Sequence, residues 1–160
     1  MIRPATQQDA LALCAIYNPY ILKTTITFEE QEISVDAMRR RIGDVLQSWP
    51  WLVCEIEDGI AGFAYATRWR DRAAYRHSVE STIYMNPDFQ RHGFGCMLYA
   101  ELLSRLRGLG AHRVLGGIAL PNPPSVALHE KLGFKKVAHF EEVGRKFGRW
   151  IDVGYWQLSL

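Results

Sequence analysis

VESTIYMNPDFQRHGFGCML, residues 79–98, changes its period halfway along. Val79, Ser81, Ile83 and Met85 alternate with Glu80, Thr82 and Tyr84, which predicts a strand with two unlike faces. Asn86-Pro87-Asp88 stops it, because proline has no N–H to give to a ladder. After Gln90-Arg91-His92-Gly93-Phe94-Gly95 the period becomes helical. Phe94, Leu98, Leu102 and Leu106 recur every four residues, with Met97 and Leu109 expected alongside. A strand, a glycine turn and a helix in this order make an anion site. The first N–H groups of the helix lack partners within it, and the helix dipole is positive there. Gly93 and Gly95 carry no Cβ, so a diphosphate has room to approach the backbone.

The residues after the glycines narrow the choice of ligand. A P-loop ends in Gly-Lys-Ser/Thr, whereas Gly95 is succeeded by Cys96-Met97. A dinucleotide fingerprint wants a third Gly or Ala where Leu98 stands. The rest of the chain sets outer bounds. Its 160 residues suit one domain, residues 1–160, large enough to bury a core. A net charge of +2 gives no argument for nucleic acid, and no apolar run reaches the length of a membrane span. The first residues, MIRPATQQDA, lack the apolar stretch of a signal peptide. Cys14, Cys54 and Cys96 are distant from one another and set in apolar patterns, which fits free thiols in a reducing cytoplasm. His77, His92, His112 and His139 show no metal-ligand spacing, and no metal is expected.

Outward from the central stretch, the chain reads as one α/β unit without repeats or linkers. Ile2–Ala5 is a short strand. Thr6, with Asp9 three residues on, caps a helix whose inner face holds Ala10, Leu13, Cys14 and Tyr17; Pro19 is expected to end it or to begin a second short turn. Residues 24–33 read as a loop or short edge strand. Ser34 caps a helix with Val35, Met38, Ile42 and Val45 inward and Arg39-Arg40-Arg41 on a solvated face. Residues 51–56 and 60–69 flank Glu57-Asp58-Gly59 as a hairpin. Arg113–Leu120 is a strand whose Gly116-Gly117 pair marks a bulge or a close approach. Asn122 and Pro123 open a further helix, which Gly133 ends, and two strands around Phe147-Gly148-Arg149 close the chain. The tryptophans, Trp49, Trp51, Trp69, Trp150 and Trp156, are expected in the core or an interface.

Two motifs carry a resemblance. Gln90-x-x-Gly93-x-Gly95, after a strand bearing a carboxylate, resembles the acetyl-CoA loop of the GNAT superfamily of N-acetyltransferases. Asn122-x-x-Ser125-x-x-Leu128-His129-x-x-x-Gly133-Phe134, some 30 residues on, resembles the second motif of that superfamily. The opening Ile2-Arg3-Pro4-Ala5-Thr6 is similar to a GNAT opening as well. Val79–Tyr84, Leu128-His129-Glu130 and Gly148–Val153 resemble the phosphinothricin and methionine sulfoximine acetyltransferases, a subgroup with His where the superfamily pattern has Tyr.

The resemblance implies a mixed, mostly antiparallel sheet with helices on both faces, the cofactor lying where strands 79–85 and 113–120 splay apart. It implies acetyl-CoA as co-substrate. Arg91, His92, Gly93, Phe94, Gly95 and Cys96 would hold its diphosphate, the backbone of Ile83, Tyr84 and Met85 its pantetheine arm and the oxyanion, and Asn122 and Ser125 would lie beside it. Glu80 is the candidate base, acting directly or through water. His129 would protonate the departing thiolate or relay a proton. Phe28 and Glu29, with Arg72, Ala73, Ala74 and Tyr75 in an arginine-rich loop that also holds Arg70 and Arg76, are the candidates for an anionic, amino-acid-like substrate. A homodimer is implied, with neither nucleic acid nor membrane as partner. Acetylation of a peptide, lysine or polyamine amine, and a silent acyl-CoA-binding module, stand as rival readings.

Overall fold

The computed structural model describes residues 1–57, 59–90 and 92–160. Seven strands form one sheet in the order β1-β2-β3-β4-β5-β7-β6. The strands are β1 (Ile2–Pro4), β2 (Trp51–Ile56), β3 (Gly59–Arg68), β4 (Ser78–Met85), β5 (Arg113–Ala119), β6 (Lys135–Lys146) and β7 (Arg149–Ser159). The helices are α1 (Ala10–Lys23), α2 (Val35–Leu46), α3 (Phe94–Gly108) and α4 (Pro123–Lys131). Every neighbouring pair of strands is antiparallel except β4 and β5. This is the mixed, mostly antiparallel sheet expected from the sequence.

Alternation along the strands splits the core in two. On one face Leu13, Tyr17, Ile21, Met38 and Ile42 of α1 and α2 pack against Trp51, Val53 and Phe63. On the other, Leu98, Tyr99, Leu102 and Leu106 of α3 pack against Leu52, Ala64, Val79, Val114 and Trp156. The caps fall where expected. Thr6 and Asp9 form a capping box, although a 3₁₀ turn over Gln7–Asp9 precedes α1. The Ser34 hydroxyl accepts from the Ala37 N–H, and Phe147 and Gly148, both at positive φ, turn β6 into β7. Residues 24–33 form a loop. The expected 51–69 hairpin is present, though Asp58 in its turn lies outside the described residues.

Three expectations need correction. Pro19 does not end α1, which runs on to Lys23. Beyond the proline Ile21 is fully buried and the Tyr20 ring lies 5.2 Å from that of Tyr84, so packing outweighs one lost backbone hydrogen bond. Met97 and Leu109 face solvent, and Tyr99 and Leu103 complete the buried stripe of α3 instead. Arg41 does not share the solvated face of Arg39 and Arg40. It turns to the 24–33 loop and pairs with Glu29 through bonds of 3.0 and 2.7 Å.

Candidate active site

β4 and β5 are in register only from Ser78↔Arg113 to Glu80↔Leu115. Beyond Glu80 they part, and the gap is lined by Thr82, Ile83 and Tyr84 on one side and by Gly117, Asn122 and Ser125 on the other. The Asn86 N–H bonds the Ala61 carbonyl across β3. Antiparallel ladders alternate, so the N–H groups of Ile83 and Met85 turn away from β3 and into the gap. The Tyr20 hydroxyl donates to the Met85 carbonyl at 2.6 Å and fixes the end of β4.

The gap opens toward the N-terminus of α3. Gly93 caps that helix with φ 81°, a conformation that favours glycine. A Cβ on Gly93 would meet no protein atom within 4 Å, and one on Gly95 would make only ordinary contacts with Met85 and Leu128. The chain therefore leaves the backbone bare on the side that faces out. The helix begins its own bonding at Met97 N–H to Gly93 carbonyl, leaving the N–H groups of Phe94, Gly95 and Cys96 as donors. The rings of His92 and Phe94 lie 5.9 Å apart beside them. Arg91 lies outside the described residues. These features fit a diphosphate at the helix and an extended arm along β4.

Two adjacent glycines of β5 admit one side chain each, from opposite faces of the sheet. A Cβ on Gly116 would sit 2.5 Å from His129 Nε2, and one on Gly117 would sit 3.0 Å from the Tyr155 ring. His129 is 4% exposed. Its Nδ1–H donates to the Ser125 carbonyl at 2.7 Å, and its Nε2 accepts from the Tyr99 hydroxyl at 3.0 Å. Tyr99 is joined in turn to Ser81 Oγ at 2.5 Å. Burial pushes the imidazole below its ordinary pKa, which favours the neutral ring this arrangement needs. His129 lines the cleft, and its Nδ1 proton is bonded to the Ser125 carbonyl. Asn122 caps α4 by accepting from the Ser125 N–H at 3.3 Å.

On the other face Tyr155 reaches across Gly117, its hydroxyl 3.5 Å from Glu80 Oε1. The Trp69 ring meets the Tyr155 ring edge to face at 5.2 Å, and the Arg70 guanidinium lies 4.6 Å above Trp69. Glu80 is half-buried, and burial raises its carboxyl above the usual range; Tyr155 and the charge of Arg70 oppose that rise. Trp69 thus lines the site rather than the core, and the arginine that acts on Glu80 is Arg70. Arg72, Ala73, Ala74 and Tyr75 form an exposed 3₁₀ turn farther along.

The 24–33 loop closes the remaining side through Ile26. It is clamped at three points. Lys146 Nζ, almost fully buried, donates to the Thr27 carbonyl at 2.8 Å. Phe28 lies against Gly144 of β6. Glu29 takes both bonds from Arg41 and one from the Tyr17 hydroxyl. Its carboxylate is thereby held below the ordinary range and is committed to anchoring the loop.

Tyr99, Tyr155, Trp69 and Tyr20 were not singled out from the sequence as site residues. A tyrosine on the apolar stripe of α3 was the one available signal, since a buried hydroxyl needs a partner. A larger groove, of about 650 Å³, runs between α1 and residues 32–35, but its amide, Asn18, is already bonded to both backbone groups of Ile33. Among the described residues no group of three or more His, Cys, Asp or Glu could hold a metal ion, and no helix is long and apolar enough to cross a membrane.

Known proteins are similar to this chain in sequence and in architecture. Residues 2–154 match the acetyltransferase (GNAT) domain family. A phosphinothricin N-acetyltransferase of Streptomyces viridochromogenes is 42% identical over 98% of this chain and 85% of its own. An L-methionine sulfoximine/L-methionine sulfone acetyltransferase of Salmonella typhimurium is 34% identical over 99% of this chain and 94% of its own. The crystal structure of a GNAT superfamily phosphinothricin acetyltransferase from Sinorhizobium meliloti, in complex with acetyl-CoA, superposes with a TM-score of 0.96 at 34% identity, covering 100% of this chain and 88% of that one. A splayed β4–β5 pair opening on a bare helix N-terminus, together with a family match over nearly the whole length, places this chain in the GNAT family of acetyltransferases.

Proposed function

We propose that the protein transfers an acetyl group from acetyl-CoA to the α-amine of a small, glutamate-like amino acid such as phosphinothricin or methionine sulfoximine. The observation that carries this reading is the placement of Glu80. It is a half-buried carboxylate at the point where β4 and β5 part, with the positive Arg70 beside it. Acetyl-CoA supplies the activated acetyl thioester. The N–H groups that start α3, with His92, Phe94 and Cys96 around them, hold its diphosphate. The Ile83–Met85 edge of β4 pairs with the extended arm, and the Met85 N–H is aimed to meet negative charge developing on the acyl oxygen. Asn122 and Ser125 flank the same path from α4.

Glu80 takes the proton from the acceptor amine, directly or through one water. Its raised pKa suits that task, since a base works best with a pKa near the working pH. Arg70, whose charge acts on Glu80, rather than Arg72 in the exposed turn, is positioned to attract the carboxylate or second acidic group of the acceptor, and Phe28 and Tyr75, both partly exposed, are left to border it. His129 is assigned to holding α4 and Ser125 against the cofactor path rather than to protonating the thiolate.

A homodimer accompanies this reading. Val137, Phe140, Val143, Phe147 and Trp150 of the β6–β7 hairpin are 48–60% exposed, an apolar surface suited to a second copy. Sedimentation at micromolar concentration tests it. An amine panel with acetyl-CoA, monitoring release of free thiol, tests the substrate. Phosphinothricin and methionine sulfoximine should exceed spermidine, lysine and a lysine-bearing peptide in kcat/KM, because extra cationic groups would face Arg70. A polyamine or peptide that outcompetes both amino acids overturns the substrate class and leaves acetyl transfer intact.

A further inference from the structure

Tyr155 stands on β7, two strands away from Glu80, and nothing in its immediate sequence links the two residues. Three features bring them together. Tyr155 pairs with Gly117 across β5 and β7. Gly117 has no side chain, so the Tyr155 ring can lie over the β5 backbone; a Cβ there would stand 3.0–3.2 Å from three atoms of the ring. Trp69 and Phe140 then meet the ring edge to face at 5.2 and 5.9 Å and fix its angle. The hydroxyl ends 3.5 Å from Glu80 Oε1.

We propose that Tyr155 is a positioning residue for the reaction, its hydroxyl donating to Glu80 and holding that carboxylate at the mouth of the β4–β5 cleft, and that Gly117 is glycine to let it do so. The inference rests on the reading of Glu80 as the base. A donor to a carboxylate stabilises its ionised form, which is the form that accepts a proton. Among the described residues the ionisable groups that act on Glu80 are few. Tyr155 comes from β7, Arg70 from the segment after β3, and Tyr65 from β3 itself, while Ile26 of the 24–33 loop is apolar. Burial disfavours the charge, and the Tyr155 hydroxyl and the positive charge of Arg70 oppose that effect. Removal of the tyrosine hydroxyl should therefore raise the Glu80 pKa. The base is then lost as pH falls from a higher starting point, and the acid limb of the pH–rate profile moves to more alkaline pH.

The test is Tyr155→Phe, which keeps the ring and its packing. Glu80 is monitored by carbon-13 NMR of labelled glutamate carboxyls in the unliganded protein, its signal assigned by its absence in Glu80→Gln. The titration midpoint of Glu80 should rise by about 0.5–1 pH unit, the equivalent of one ordinary hydrogen bond. The acid limb of kcat/KM with the best acceptor of the amine panel should move by the same amount. Gly117→Ala, which displaces the ring while keeping the hydroxyl, should reproduce the rise. A Glu80 midpoint unchanged in Tyr155→Phe, beside an impaired Glu80→Gln, overturns the role of Tyr155 alone. A wild-type rate in Glu80→Gln overturns the base and takes the catalytic sense of this inference with it.

Discussion

Gly116 and Gly117 are neighbours on β5, yet the side chains that cross them live under different rules. Over Gly116, His129 is sealed in, and both of its ring nitrogens have partners, Ser125 on one side and Tyr99 on the other. Tyr99 continues the chain to Ser81, so the whole array is matched and buried. Over Gly117, Tyr155 makes one long bond to a carboxylate that keeps most of its hydrogen-bonding capacity free. A buried network with every partner present contributes rigidity. A half-buried carboxylate with one weak donor and a nearby cation is costly to hold, and is poised to exchange a proton. On the proposed reading, the difference separates scaffold from chemistry within two residues of one strand, with His129 in the first role and Glu80 in the second.

Glu80→Gln attacks the chemical side directly and should have the largest effect. It keeps the shape of the side chain and removes the base, so kcat should fall by roughly 10²–10⁴-fold while acetyl-CoA affinity stays near its normal value. The deficit should narrow at high pH, where more of the amine is already free of its proton. Steady-state kinetics across pH measures this. A variant that turns over normally at neutral pH breaks the comparison, because Glu80 would then be as structural as His129.

Arg70→Ala comes next. Arg70 is the cation that acts on Glu80, whereas Arg72 lies out in the exposed turn. Losing a charged hydrogen-bond partner costs about 1.5–3 kcal/mol, so KM for an anionic amino acid should rise roughly 10- to 200-fold. Arg72→Ala should raise it far less. The acid limb of the pH profile should also move to higher pH in Arg70→Ala, because a positive charge that lowers the Glu80 pKa is gone. Equal effects at the two arginines would place the substrate anion over the turn instead of over Trp69.

The two faces also differ in how far the sequence revealed them. The cofactor side is local. Strand, glycine turn and helix succeed one another from Ser78 to Gly108, and the recognition proposed there uses backbone N–H groups, whose direction is set by secondary structure alone. Strand period and glycine spacing placed Glu80 and the glycines in the chain, and the resemblance of the second motif pointed to Asn122 and His129. The acceptor side is assembled from distant segments. Tyr155 meets Glu80 only because β7 inserts between β5 and β6, and an insertion order of that kind has no local signature. Glu29 illustrates another limit. It was legible as a carboxylate in the 24–33 loop, but its partner Arg41 sits midway along a different helix, in a run of arginines that looked uniformly solvated. Gly116-Gly117 could be read as a place of close approach, though not what approaches it.

Tyr99→Phe probes the sealed side and should have the smallest effect on catalysis of the three. The ring remains, so the apolar contacts of α3 with Phe134 and His129 persist. Ser81 keeps its second partner, the Leu115 carbonyl at 3.3 Å. What is lost is the donor to His129 Nε2, which cannot recruit another partner while Nδ1–H is bound to Ser125 and Gly116 presses against the ring edge. Leaving one buried acceptor unmatched costs about 1–3 kcal/mol, and a neutral imidazole belongs toward the lower part of that range. For a chain of this size the thermal midpoint should drop by about 2–6 °C. The pH dependence of kcat separates the two roles of the histidine. If His129 only braces α4, the profile of Tyr99→Phe matches wild type and the loss is confined to stability. If His129 instead delivers the proton to the thiolate, releasing Nε2 from its donor makes the ring more basic, and the alkaline limb of kcat moves up with it. The matched bonds at both nitrogens favour the first outcome, and a shifted alkaline limb would return His129 to the chemical side of the comparison.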